Sequence, residues 1–271
     1  MLVAGIDVGS RNAKAVVMQN GEIVSYGVCD TGPSSAESAQ EAVGSALRGT
    51  EFRLQDLDYV IATGYGRVLV PFANENVSEI ACHARGAHWY FPSTRTILDI
   101  GGQDSKAINC NETGQVTRFV MNDKCAGGTG RFLESIADLF QVSLEEMGRM
   151  ALQSKTVIPF GTSCALLARS EAIALLKKGV LKNDILAAIH NVLASRCYNL
   201  VQRVSLEPDF IMTGGVCKNL AMLVKIQEKV GREPLVPPEP LIVGALGAAL
   251  FAEERFAASS AGMRPSAAVK G

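Results

Sequence analysis

Apolar residues along the chain follow two spacings, and these spacings divide it into strands and helices. Short apolar runs that end at glycine or polar residues predict buried strands, whereas apolar positions three or four residues apart predict amphipathic helices. Strands are predicted over residues 2–10, 13–19, 22–27, 59–63, 96–100, 105–109, 117–121 and 210–213. Helices are predicted over residues 34–47, 79–89, 132–140, 144–152, 165–176, 183–204, 219–230 and 243–254. This mixture indicates an α/β protein.

The pattern repeats in two halves. An apolar strand that ends in aspartate and glycine opens each half, with Asp7-Val8-Gly9-Ser10 in the first and Asp99-Ile100-Gly101-Gly102 in the second. Two such hairpins facing each other across a cleft would bring two carboxylates and two sets of backbone N–H groups onto one polyphosphate. We therefore expect two lobes, each a mixed sheet flanked by helices.

The predicted lobes are discontinuous in sequence. We assign residues 1–94 and 244–256 to the first lobe and residues 95–243 to the second. Residues 257–271 are rich in alanine, serine and glycine, so we expect a disordered tail there.

Composition narrows the class of protein. A chain of 271 residues with 48% apolar residues can bury a full core, and a net charge of −1 argues against nucleic acid as a partner. The apolar runs are short and broken by glycine, so no membrane span is expected. The seven cysteines are scattered and odd in number. This favours a reducing cytoplasmic location, with metal or cluster ligation rather than disulfides.

Both hairpins carry groups suited to phosphate. The first offers the backbone N–H groups of Gly9, Ser10, Arg11 and Asn12, with the Ser10 hydroxyl and Lys14, and the second offers Asp99, Gly101, Gly102, Gln103 and Asp104. A third segment, Gly214-Gly215 after a strand, would let the backbone approach a base or ribose closely. The chain has no Walker P-loop, which excludes that class of nucleotide enzyme.

Two cysteines precede predicted helices. Cys125 stands before the glycine-rich turn that leads to the helix starting near Phe132, and Cys164 stands directly before Ala165. Because helix N-termini favour negative charge, a thiolate or an anionic cluster is stabilised there. We interpret the pair as half of a four-thiolate site, of which a second copy would supply the rest. Taken by itself, the stretch around Cys125 is also explained by a glycine-rich loop with a buried cysteine. The remaining cysteines are interpreted as buried small hydrophobic residues: Cys29, Cys82, Cys110, Cys197 and Cys217.

These segments resemble the phosphate-1, phosphate-2 and adenosine motifs of the acetate kinase, sugar kinase, Hsp70 and actin superfamily. More narrowly, Gly101–Lys106, Asn122–Glu134 and Cys164 ahead of Ser170-Glu171 resemble the BadF/BadG/BcrA/BcrD-type branch. That branch contains activators of 2-hydroxyacyl-CoA dehydratases and ATPase subunits of ATP-dependent benzoyl-CoA reductases. The resemblance runs from about Leu2 to Phe251 and implies an actin/Hsp70-like ATPase with duplicated ribonuclease H-like lobes.

The resemblance also implies a set of roles. Two chains, as a homodimer or a paralogous heterodimer, would share one [4Fe-4S] cluster held by Cys125 and Cys164 of each. ATP hydrolysis would drive an electron from reduced ferredoxin or flavodoxin into a larger iron–sulfur acyl-CoA reductase or dehydratase. Asp7, Asp99 and Asp104 would hold Mg²⁺ directly or through water, and Gln103 would position the water near the γ-phosphate. ATP and ADP would be the nucleotides bound.

The chain departs from the activators around Cys164. Arg169 stands where activators commonly carry an acidic residue, and the lead-in Gly161-Thr162-Ser163 also differs from many of them. These departures favour a benzoyl-CoA reductase subunit, with a homodimeric dehydratase activator as the alternative. Two remoter possibilities are a small-molecule kinase of the same superfamily and a nucleotide-dependent scaffold without redox chemistry.

Overall fold

The structure, a computed structural model, describes residues 1–161, 164–260 and 262, which form nine strands and eight α-helices. The strands are β1 (Leu2–Val8), β2 (Asn12–Gln19), β3 (Glu22–Asp30), β4 (Tyr59–Thr63), β5 (Glu75–Asn76), β6 (Thr96–Ile100), β7 (Ser105–Cys110), β8 (Val116–Asn122) and β9 (Phe210–Thr213). The α-helices are α1 (Ser35–Leu47), α2 (Glu79–Tyr90), α3 (Gly130–Phe140), α4 (Leu144–Leu152), α5 (Ala165–Lys177), α6 (Lys182–Val204), α7 (Leu220–Val230) and α8 (Val243–Ser260). Each strand and helix predicted from the sequence is confirmed, and β5 is a short addition.

The chain divides into two compact units. One contains residues 1–89 and the chain from residue 241 onward, and the other contains residues 90–240. The sequence interpretation set these borders slightly later, after residues 94 and 243. The helix α2 ends at Tyr90, just ahead of Pro92, which cannot donate a backbone hydrogen bond to continue a helix.

The first unit is built on the order β3-β2-β1-β4-β5. The strand β1 is buried throughout, antiparallel to β2 and parallel to β4. The helix α8 crosses β1 so closely that a Cβ atom on Gly5 would lie 2.0 Å from the carbonyl oxygen of Ala245. Only glycine fits at such a contact. This packing fixes the ends of β1 and β4, where the polar residues of the unit gather.

The second unit repeats this local topology in the order β8-β7-β6-β9. The strand β6 is buried, antiparallel to β7 and parallel to β9. The helix α6 is 23 residues long and packs on α4, α7 and the sheet. Large side chains from several elements form one core, among them Leu98, Ile100, Phe132, Leu133, Ile136, Ile185 and Leu193. The core therefore holds α3 and α6 against the strand that carries Asp99.

The predicted disordered tail is wrong in its first part. The helix α8 continues through Ala257 to Ser260 rather than stopping at Glu254. Alanine is the strongest helix former, so Ala257 and Ala258 extend the helix. The rest of the predicted tail, Gly262 apart, lies outside the described residues. Within the described part of the chain no helix, α8 included, combines the length and apolar character needed to cross a membrane.

Candidate functional site

The hairpin of the first unit pairs an aspartate with a lysine. Asp7 on β1 lies directly opposite Lys14 on β2, and Nζ of Lys14 is 2.9 Å from Oδ2 of Asp7. The two side chains are 8% and 13% exposed, so the ion pair is largely shielded from water. On the other side of β1, the parallel register sets Thr63 beside Asp7. The hairpin and β4 together thus bring a carboxylate, an ammonium group and a hydroxyl-bearing residue to one end of the sheet.

The hairpin of the second unit has the same arrangement with one more acid. Asp99 lies opposite Lys106, and Nζ of Lys106 is 3.1 Å from Oδ2 of Asp99 and 2.8 Å from Oδ1 of Asp104. The parallel neighbour is Thr213, whose hydroxyl donates to Oδ1 of Asp99 at 2.9 Å. All three charged side chains are almost fully buried. One lysine therefore neutralises part of a two-carboxylate cluster.

A glycine follows the threonine in each unit and lies against the aspartate. Gly64 and Gly214 have φ angles of +83° and +88°, in the left-handed region that favours glycine. A Cβ atom on Gly64 would be 2.4 Å from Oδ1 of Asp7, and one on Gly214 would be 2.9 Å from Oδ1 of Asp99. The sequence interpretation assigned a role only to Gly214 and missed the repeated Thr-Gly after an apolar strand.

Asp104 has an unused acceptor. Its carboxylate is buried, and Oδ2 has no hydrogen-bond partner among the residues that the structure describes. Leaving a buried oxygen unpaired costs about 1–3 kcal/mol, more when the group is charged. Carboxylate oxygens are ligands that Mg²⁺ takes together with water and phosphate oxygens. The residues present therefore fit a Mg²⁺ ion at this carboxylate.

Some backbone N–H groups of the two glycine turns are already hydrogen-bonded within the turn. The amide of Gly9 donates to the carbonyl oxygen of Asn12 at 3.1 Å, and the amide of Gly101 donates to that of Asp104 at 3.0 Å. The Gly9 amide, which the sequence analysis assigned to phosphate, closes its own turn in this structure, and its binding of phosphate stays a prediction. The same holds for the Gly101 amide. The other amides of the two turns, including those of Ser10 and Gly102, are also predicted to bind phosphate.

Other predicted nucleotide residues fall at turns of their own unit. The side chains of Arg11 and Asn12 both reach Oδ1 of Asp30 at 3.0 Å. Gln103 is exposed at its turn. Gly214 donates its amide to the carbonyl oxygen of Pro240 at 3.0 Å, and Gly215 begins a short 3-10 turn. These positions stay predictions as nucleotide contacts.

Of the seven cysteines, only Cys125 and Cys164 are exposed. Burial raises the pKa of the Cys110 thiol to about 11 and that of the Cys197 thiol to about 12. Burial likewise raises the pKa values of Cys82 and Cys217. Within the described residues, no group of three or more His, Cys, Asp or Glu side chains could hold a metal ion. One chain therefore offers two accessible thiols and no complete metal site in that part.

Cys164 is the N-terminal flanking residue of α5. The pKa of its thiol is lowered by the backbone N–H groups of Leu167 and Leu166 and, more weakly, by the charge of Arg196. A thiol whose pKa is lowered at a helix N-terminus suits cluster ligation. The lead-in residues Thr162 and Ser163 lie outside the described residues.

Cys125 lies further from its helix along the chain than Cys164 does. It lies in the loop ahead of α3, whose N-terminal flanking residue is Thr129, and the position of its sulfur at the mouth of that helix stays a prediction. The Thr129 hydroxyl donates to the carbonyl oxygen of Ala126 at 2.7 Å instead of capping the helix. The charge beside the Cys125 sulfur comes from Arg196 on α6, whose Nη1 is 3.4 Å away. Arg196 is thus a site residue that sequence reasoning missed.

Arg169 links the two helices that follow the cysteines. Its Nη1 donates to the carbonyl oxygen of Ser135 on α3 at 2.5 Å, and the side chain is half-buried. Arg169 is therefore bonded to its own chain, where it links α5 to α3.

The start of α3 is bonded to the hairpin that carries Asp99. The amides of Gly130 and Arg131 donate to the carbonyl oxygens of Gly101 and Gly102 at 2.8 and 2.9 Å. These amides belong to the first turn, whose donors have no partner inside the helix. A shift of the Gly101–Gly102 turn would therefore pull directly on the helix that follows Cys125.

Comparisons with known proteins bear on this site. A family model described as the BadF/BadG/BcrA/BcrD ATPase family matches residues 4–252. The activator of lactoyl-CoA dehydratase from Anaerotignum propionicum is 42% identical over 255 residues, which are 94% of this chain and 98% of that protein. One of the subunits of benzoyl-CoA reductase from Thauera aromatica is 29% identical over 263 residues, which are 92% of each chain.

Solved structures agree on the fold. The activator of the 2-hydroxyisocaproyl-CoA dehydratase from Clostridium difficile, with bound ADPNP, matches with a TM-score of 0.92 and 35% identity over 99% of this chain and 100% of that chain. A ROK family glucokinase from Streptomyces griseus matches with a TM-score of 0.58 and 14% identity over 94% of this chain and 100% of that one, a likeness of fold alone. The predicted actin/Hsp70-like and sugar-kinase-like α/β fold is confirmed.

Proposed function

The chain belongs to the BadF/BadG/BcrA/BcrD ATPase family, and on that premise we propose that it is the ATP-hydrolysing activator of a 2-hydroxyacyl-CoA dehydratase. The observation that carries the proposal is the similarity to a dehydratase activator at 42% identity, against 29% for the benzoyl-CoA reductase subunit. The preference for a reductase subunit that Arg169 suggested is set aside. That preference depended on Arg169 as a mark of a different partner, and Arg169 instead bonds to Ser135 of its own chain.

We propose MgATP as the nucleotide, with Mg²⁺ held by Asp7, Asp99 and Asp104 directly or through water. The partnerless buried oxygen of Asp104 supports this, as does the bound ADPNP in the structure of the related activator. When bound, Mg²⁺ neutralises charge that builds on the transferring phosphate. Lys106 holds Asp99 and Asp104 in place. Gln103, exposed at its turn, orients the attacking water in this proposal.

For the two exposed cysteines we propose a [4Fe-4S] cluster shared with a second copy of the chain. A cubane cluster needs four thiolates, and one chain offers two that are exposed, Cys125 and Cys164. The cluster supplies a one-electron carrier when it is bound. The chain's own contribution is to stabilise the negative charge there, through the amides at the start of α5 and through Arg196.

Exposed leucines support a second copy beside Cys164. Leu166 and Leu167, on the first turn of α5, are 76% and 58% exposed in the single chain. These two large apolar side chains lie next to Cys164, a ligand of the proposed shared cluster. Packing them against a second copy would remove their apolar surface from water, which is favourable. We therefore propose that the first turn of α5 packs against a second copy.

Leu166→Lys is expected to convert most of the dimer to monomer and to lower the bound iron with it. An added ammonium group would favour an anionic cluster, so a loss of iron would trace to the lost apolar contact rather than to charge. Analytical ultracentrifugation and iron analysis under anaerobic conditions measure the two quantities. Leu220→Lys, at a leucine that is 51% exposed on α7, is the matched control and should leave both unchanged. A dimeric, fully loaded Leu166→Lys protein would contradict this interface.

The function itself is tested by anaerobic purification followed by reconstitution. We expect about four iron atoms per dimer, MgATP hydrolysis, and activation of a purified 2-hydroxyacyl-CoA dehydratase when the protein, MgATP and reduced ferredoxin or flavodoxin are added. A stable complex with larger subunits that reduces an aromatic acyl-CoA would instead favour the reductase subunit. A colourless, iron-free ATPase would contradict both and favour a scaffold.

A further inference from the structure

Arg196 places a positive charge against a proposed cluster ligand. Its Nη1 donates to the Cys125 sulfur at 3.4 Å and to the carbonyl oxygen of Gly127 at 2.8 Å. The side chain is half-buried, so its charge is less screened than that of a fully exposed arginine. The guanidinium therefore bridges the sulfur and the backbone of the loop that carries it.

The helix behind Arg196 is firmly held. Its neighbours Leu193, Ala194 and Cys197 are fully buried in the core of the second unit. The loop lies close to this helix, because a Cβ atom on Gly128 would be 3.7 Å from Cβ of Arg196. A charge on such a helix is held in a defined position relative to the loop, which is the condition for tuning a nearby redox group.

We propose that Arg196 of each chain is a positioning residue that sets the reduction potential of the shared cluster by holding a guanidinium against a ligand sulfur. This inference rests on the proposed function. Reduction adds one electron, taken from reduced ferredoxin or flavodoxin, and no bond forms or breaks. The added negative charge is stabilised by a nearby cation and by a hydrogen bond to a ligand sulfur, which are known determinants of cluster potentials. Arg196 thus makes the potential less negative than it would otherwise be.

The test compares variants by anaerobic redox titration followed with electron paramagnetic resonance. Arg196→Gln keeps a polar side chain but removes the charge, and Arg196→Lys restores the charge. We expect the Gln variant to hold the cluster with an equilibrium constant for reduction about tenfold smaller, a midpoint about 59 mV more negative for one electron. The Lys variant should recover part of this shift. Arg203→Gln is the matched control, since Arg203 is an exposed arginine further along the same helix, and it should keep the parent potential.

Each result decides the inference. A loaded Gln variant with the parent midpoint overturns it and leaves the proposed function standing. If the Gln variant loses its iron and the Lys variant keeps it, the midpoint of the Lys variant decides: a midpoint more negative than the parent's supports the inference, and the parent midpoint overturns it. Loss of iron from both variants would mean that Arg196 serves to hold the loop through its bond to Gly127, and this result overturns the inference. A parent protein without iron removes both the inference and the proposed function.

Discussion

Replacing Cys125 or Cys164 with serine is expected to reduce the bound iron from about four atoms per dimer to nearly none. Each substitution removes two of the four thiolates of the proposed shared cluster, because both copies lose the same ligand. Binding of nucleotide should persist, since the Asp99 hairpin is built from other segments of the chain. Anaerobic iron and sulfide analysis, together with nucleotide titration of the same samples, measures the two effects.

The control for this experiment is Cys29→Ser. Cys29 is half-buried, and its sulfur lies 3.4 Å from the carbonyl oxygen of Ser38, a hydrogen bond that a serine hydroxyl can replace. The iron content of this variant should match that of the parent. Four iron atoms in each single chain, or a cluster that survives Cys164→Ser, would contradict a site shared between two copies.

Asp99→Asn is expected to lower MgATP turnover by about 100-fold or more, in the range that the loss of one preorganised electrostatic group causes. The substitution keeps the size of the side chain and an oxygen that can accept from the Thr213 hydroxyl, but it removes one of the two charges that Lys106 pairs with. Steady-state phosphate release at saturating MgATP measures the effect. Iron content should be unchanged, because neither exposed cysteine belongs to this hairpin.

The matched control for Asp99→Asn is Asp138→Asn, which removes an exposed carboxylate on α3 in the same unit. Thermal unfolding of both variants separates a catalytic loss from a folding defect. Lys106 stays paired with Asp104 at 2.8 Å in the Asp99→Asn protein, so the lysine is not left as an isolated buried charge. Parent-like turnover in a folded Asp99→Asn protein would remove Asp99 from the proposed magnesium site.

The strands and their terminal aspartates could be predicted from the sequence because the signal is local. Asp7 and Asp99 each lie one residue before the end of a buried strand and two residues before a glycine, and that pattern is independent of the rest of the fold. The cysteines were found in the same way, from the helical spacing that follows them. The predicted helix-mouth position of Cys125 stays a prediction, because local spacing does not fix the path of the loop from Ala126 to Thr129 that lies between Cys125 and α3.

The missed residues depend on contacts between distant parts of the chain. Arg196 meets Cys125 across 71 residues, and Thr213 meets Asp99 across 114. Local spacing assigns a residue to a strand or to a helix face but does not say which other element covers it. The same limit applies to Arg169, whose bond to Ser135 depends on how α5 packs on α3.

The two bonds from Gly130 and Arg131 to the Gly101–Gly102 turn make this turn observable from a distance. An amide hydrogen that is bonded in this way exchanges with deuterium from the solvent only when the bond opens. A nucleotide that steadies the turn would slow deuterium uptake at the first two residues of α3, without touching that helix. Mass spectrometry of a peptide that spans residues 128–133 would follow the occupancy of the turn in real time, with no label attached to the protein or to the nucleotide.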